Sequence, residues 1–168
     1  MKLFYKIFFF VFIASSAFAQ PFSITSLIDQ YSGKDGFIIL NLNDAGIVLR
    51  DLVKNKSAQE ATKSVKKITL IRFTTENLKE DKKIEAIKNG KNFYSQVKNF
   101  RASDYEELMS LTRGSNHLRA YFKKNEKGDN EFIMTITDED YNSLIMYLNG
   151  TFTKEEILEI AKSIKLEL

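Results

Sequence analysis

The spacing of apolar residues along this chain changes several times, and each change marks an element. From Ile7 to Ala14 the chain is uncharged and apolar throughout. The spacing then becomes helical: Ile24, Leu27, Ile28 and Tyr31 form one stripe, with Ser23 placed to cap it and Gly33 to end it. Phe37 to Leu42 is almost wholly apolar, which predicts a strand covered on both faces. A second helix is predicted from Asp44 to Val53, with Ala45, Val48, Leu49, Leu52 and Val53 on its face. Residues 54–66 are polar and read mostly as a loop, and Lys67 to Thr74 reads as a second strand. A long helical segment follows from Asn77 to Arg101, with Ile84, Ile87, Tyr94 and Val97 on one face. Gly90 falls on the same face, where it allows close approach to the sheet or, alternatively, breaks the helix at Asn89-Gly90.

From Tyr105 onward the period becomes two. Glu107–Thr112, His117–Lys123, Glu131–Thr137 and Asn142–Leu148 read as four antiparallel strands joined by short, turn-like links. Thr153-x-x-Glu156 is a capping box, and Ile157, Ile160, Ala161 and Ile164 make the stripe of a last helix. The order is α-β-α-β-α-β-β-β-β-α. It predicts an α+β fold: a mixed or mostly antiparallel sheet of about six strands with helices packed on it.

The first apolar run has a separate meaning. Lys2 and Lys6 precede it, and Ala17-Phe18-Ala19 follows as a small-x-small processing site. Residues 1–19 therefore read as a signal peptide, too short for the roughly 20 residues that span a bilayer. Cleavage leaves Gln20 at the N-terminus and residues 20–168 as a single domain, exported to the periplasm or beyond. A domain of that length buries roughly 68–70% of its unfolded surface, so it is stable without a disulfide or metal. The absence of Cys agrees.

Charge narrows the partners only a little. The chain has 25 basic and 22 acidic residues, and loss of Lys2 and Lys6 brings it near balance. Lys is interleaved with Glu and Asp, as in Glu80-Asp81-Lys82-Lys83-Ile84-Glu85, which is the pattern of a solvated helix face. A nucleic-acid partner is not expected, since such binders concentrate their positive charge. No later stretch approaches transmembrane length.

Several short motifs together resemble an exported family, mostly from Bacteroidetes, known as domain of unknown function 4252. They are Phe22 with Leu27, then Tyr31-Ser32-Gly33-Lys34-Asp35-Gly36, Asp104-Tyr105-Glu106-Glu107-Leu108-Met109, and Leu148-Asn149-Gly150-Thr151-Phe152. The resemblance covers essentially the whole mature chain. It implies a single-domain exported protein of a Gram-negative envelope, and it carries no catalytic residues, because the family has no assigned activity.

Candidate chemistry is sparse. Gly114-Ser115-Asn116-His117 sets a Ser near the one His of the chain, but in a hairpin turn, where Ser and Asn serve the backbone. It is not a nucleophile elbow, and neither an orienting acid nor an oxyanion hole can be placed beside it. Zinc needs several His or Cys ligands, and one His is available. Asp138-Glu139-Asp140 lacks the spacing that wraps calcium, and Gly33-Lys34-Asp35-Gly36 is not a full phosphate loop. Neither catalytic residues, a metal site nor a cofactor is expected.

The remaining signal lies on one face of the C-terminal strands. His117, Arg119 and Tyr121 alternate with Leu118, Ala120 and Phe122; Ile133, Thr135 and Thr137 alternate with Phe132, Met134 and Ile136; Ile145, Tyr147 and Asn149 alternate with Leu144, Met146 and Leu148. The second set of each strand is a plain core face. The first set mixes aromatic, aliphatic and cationic residues, which interface cores enrich. Arg119, Tyr121 and Tyr147 are therefore the expected binding residues, with His117 nearby. On this reading the protein is a non-enzymatic exported domain that binds a protein or an envelope component such as a glycan. The competing readings are an envelope hydrolase using scattered carboxylates and a carrier of a small ligand or lipid. A helix covering this face, with the tyrosines as core residues, is the plainer structural alternative.

Overall fold

The computed structural model describes residues 23–53, 55–76, 78–100 and 103–163. The segment read as a signal peptide, its cleavage point and Phe22 lie outside the described residues. Five α-helices occur among the described residues: α1 (Ile24–Tyr31), α2 (Gly46–Leu52), α3 (Lys56–Ala61), α4 (Glu80–Lys98) and α5 (Lys154–Ser163). The strands are β1 (Phe37–Asn43), β2 (Val65–Phe73), β3 (Glu106–Arg113), β4 (Asn116–Lys123), β5 (Asn130–Thr137) and β6 (Ser143–Gly150). They form one open antiparallel sheet in the order β1-β2-β6-β5-β4-β3, an α+β fold. None of the described helices is long and apolar enough to cross a membrane.

Helices cover both faces of this sheet. Phe132, Met134, Ile136, Leu144, Met146 and Leu148 pack with Leu49 of α2, Ala61 of α3 and Ile157 and Ile160 of α5. On the other face Ile71, Phe73, Tyr121, Ile133 and Ile145 pack with Leu27 and Tyr31 of α1 and with Ala86, Phe93 and Val97 of α4. The period of two along β5 and β6 thus alternates between two cores and not between core and solvent.

Local chemistry explains the element ends. The Ser23 hydroxyl accepts from the Ser26 amide at 3.3 Å. Gly33 then takes a left-handed φ of 73° after α1, a conformation that costs other residues energy. The Thr153–Glu156 box closes in both directions: the Thr153 amide donates to the Glu156 carboxylate at 2.7 Å, and the Glu156 amide donates to the Thr153 hydroxyl at 3.2 Å. In the β5–β6 turn the Asp138 carboxylate accepts from the amides of Asp140 and Asn142, both at 2.9 Å, and from the Asn142 side chain at 2.8 Å. That carboxylate is engaged in shaping the turn.

Three expectations are corrected. β1 is an edge strand and is not covered on both faces; Ile38 is 52% exposed. Residues 56–61, read as loop, form α3. Its buried side chains are only Ala58 and Ala61, too small to register as a stripe, and Asn55 caps it by accepting from the Ser57 amide at 2.9 Å. In α4 the buried stripe is Ala86, Gly90, Phe93 and Val97, whereas Ile84 is 83% exposed. Two small residues and one phenylalanine set the rotation of this helix, because Gly90 lets it approach Phe73 closely.

Candidate functional site

The antiparallel register builds the site row by row. It sets His117 opposite Thr137, Arg119 opposite Thr135, Tyr121 opposite Ile133 and Lys123 opposite Glu131. Ile133 in turn stands opposite Tyr147 on β6. All these side chains share the face that α4 crosses. Phe100, just beyond α4, lies edge-on to Tyr121 at 5.0 Å between ring centroids, and the Tyr121 hydroxyl donates to the Phe100 carbonyl at 3.5 Å. Tyr121 is 4% exposed. It is a core residue and not part of an open surface, as the plainer alternative has it. Arg119, Tyr121 and Tyr147 consequently do not make one patch: Tyr121 separates two polar regions, one around Arg119 and one around Tyr147.

The first region is a pocket of about 60 Å³ lined by Val97, Lys98, His117, Arg119, Thr135 and Thr137. α4 supplies Val97 and Lys98, β4 the His and Arg, and β5 the two threonines. His117 Nδ1 lies 3.1 Å from the Thr112 hydroxyl on β3. Thr135 and Thr137 are buried apart from this opening. Arg119 and the two threonines were already on the expected face by period two. Lys98 was not legible, because only packing brings the end of α4 over β4 and β5.

The second region is a hydrogen-bonded network. The Tyr105 hydroxyl donates to the Glu131 carboxylate, and the same carboxylate acts electrostatically on the Tyr147 hydroxyl. The Lys123 ammonium lies 5.5 Å from the Tyr105 ring centroid and 3.9 Å from the Asp104 carboxylate. Burial, then the charge and hydrogen bond of Glu131, push the Tyr147 hydroxyl up to about 12. Burial, then the same carboxylate, also drive the Tyr105 hydroxyl well above its usual range. Phenols held this firmly protonated are poor bases or nucleophiles near neutral pH. The network ties the segment before β3 to β5 and β6, and sequence reading had no means of pairing Tyr105 with Glu131 across 26 residues.

This network makes stability pH-dependent in one direction. Tyr147 is raised from its ordinary 10.0 to about 12, so its contribution is complete below pH 10 and is lost as pH rises through 12. The urea midpoint of the wild type is expected to fall between pH 10 and 12, and that of Tyr147→Phe to fall less steeply. Absorbance near 295 nm would follow the phenolates, and titration of every tyrosine near pH 10 in the folded protein would refute the assignment.

The fold and these two regions define an α+β domain with a single antiparallel sheet sandwiched by helices and a small cationic pocket on one face. The chain belongs to the family described as Domain of unknown function (DUF4252), which matches residues 31–160. No curated protein matches it. Among solved structures it is similar to the Saccharomyces cerevisiae Ran-binding protein Mog1p, with 14% identity over 77% of this chain and 75% of that one, and a TM-score of 0.29. A mutant form of protein Mog1 gives the same figures, 14% identity, 77% and 75% coverage and a TM-score of 0.29.

Proposed function

We propose that this protein is an exported, non-enzymatic binding domain that holds a protein or another envelope component through the Arg119 pocket. The observation that carries the reading is Arg119 itself. Among the described residues its guanidinium has neither an ion-pair nor a hydrogen-bond partner, although it lines a pocket beside buried threonines. A guanidinium offers five donors in a fixed fork, so one left without protein partners is available to a ligand. On each side of the sheet a cluster of buried apolar side chains packs between strands and helices.

The test is capture from the native envelope, with the partner identified by mass spectrometry and its affinity remeasured with purified components. Arg119→Ala is expected to weaken that affinity tenfold or more while leaving the urea midpoint nearly unchanged, since substitutions outside the core and its networks usually shift stability by about 0.5 kcal/mol or less. Equal affinity of variant and wild type would overturn the proposal.

A further inference from the structure

We infer that the Arg119 pocket takes an oxyanion, with a carboxylate of the bound component as its natural occupant. The inference rests on the binding reading above and names the group that is bound.

Charge points this way. Lys98 and Arg119 line the pocket and no acidic residue does. Among the described residues no ion pair uses either of them. Lys98 instead rests 5.4 Å from the ring centroid of Tyr94. On the same sheet face Glu107 stands opposite Tyr121 and Glu131 opposite Lys123, away from the two rows that form the pocket. The opposing effect is the C-terminal end of α4, which carries roughly −0.5 of a charge. Two full cations outweigh it, and Lys98, in the last turn, compensates part of it.

Size and donor geometry then set the class. A water needs about 10–15 Å³ of such a cavity, so 60 Å³ holds a few waters or one compact group, and not a whole sugar or nucleotide. A larger ligand would therefore enter it through one compact group only. Two parallel N–H donors of one guanidinium match the two oxygens of a carboxylate, a pairing that Lys cannot reproduce. His117 shares the lining, and the hydroxyls of Thr135 and Thr137 are further donors there. On β3, Thr112 and Ser110 stand opposite His117 and Arg119 and are exposed, so the polar surface continues beyond the pocket towards the sheet edge.

The experiment is an NMR titration of the chain beginning at Gln20, with sodium acetate, inorganic phosphate or sodium chloride at matched ionic strength. Acetate is expected to give saturable shifts at the Arg119 side chain and at the amides of His117, Arg119, Thr135 and Thr137, while chloride gives none. Arg119→Gln should weaken acetate binding tenfold or more, and Arg119→Lys should weaken it several-fold. Tighter binding of phosphate than acetate keeps the oxyanion and overturns the carboxylate; addition of phosphatidylglycerol or phosphatidylcholine vesicles would then separate a lipid headgroup from free phosphate. Shifts that never saturate, or that persist in Arg119→Gln, overturn the inference. Failure of both anions with an Arg119-dependent partner still captured would refute the oxyanion and leave the binding reading standing. Saturable acetate binding without any Arg119-dependent partner would do the reverse.

Discussion

Phe132→Ala is expected to destabilise the protein by about 3–5 kcal/mol, a large share of a typical total of about 5–15 kcal/mol. Phe132 is 0% exposed on a central strand, flanked by Phe122 on β4 and Leu148 on β6. The cluster around it includes Phe152 and the α5 residues Ile157 and Ile160. Truncation removes the buried ring and leaves a cavity that two strands and a helix layer cannot collapse into without breaking ladder hydrogen bonds. Urea unfolding measures the loss directly. An unchanged midpoint with an unchanged slope would mean that Phe132 is packed in neither of the two cores that β5 separates, and so that β5 is not the buried central strand described.

Gly90→Ala is expected to cost about 2 kcal/mol, against the sign that helix propensity gives. Alanine in place of a mid-helix glycine normally gains about 1 kcal/mol. Here a Cβ would lie 2.2 Å from both Cε1 and Cζ of Phe73. That ring is 1% exposed, and Phe37 packs on it at 5.1 Å between centroids. Overpacking of this kind costs about 1–3 kcal/mol, and here the helix must also lift from the sheet. The double variant Gly90→Ala with Phe73→Leu should be more stable than the sum of the two single changes predicts, because the smaller side chain vacates the contested space. A stabilised Gly90→Ala single variant would show that α4 does not approach β2 as described.

Much of the fold was legible because it depends on local chemistry. Alternation from Glu107 onward gave β3 to β6, and turn residues gave their boundaries. Ser23, Gly33 and the Thr153–Glu156 box gave helix ends, since caps and left-handed positions act within a few residues. Where a reading failed, the deciding contact was distant. α3 was missed because two alanines suffice as a face only when α5 stands close by. Ile84 was assigned to the core of α4 because its size outweighed that of Ala86 and Gly90 on paper, whereas contact with Phe73 selects the smaller residues.

The candidate site divides in the same way. The sequence by itself determined that His117, Arg119, Tyr121, Thr135, Thr137 and Tyr147 share one face, because side-chain direction along a strand has a period of two. It also carried the family resemblance and the number of strands. Only the tertiary structure decided that α1 and α4 cover that face, that Phe100 closes over Tyr121, and that the end of α4 leaves Arg119 and two threonines around an opening. Which helix covers which face depends on the summed packing of side chains far apart in sequence, such as Phe73 with Gly90 or Tyr31 with Phe93, and no local pattern encodes such a sum.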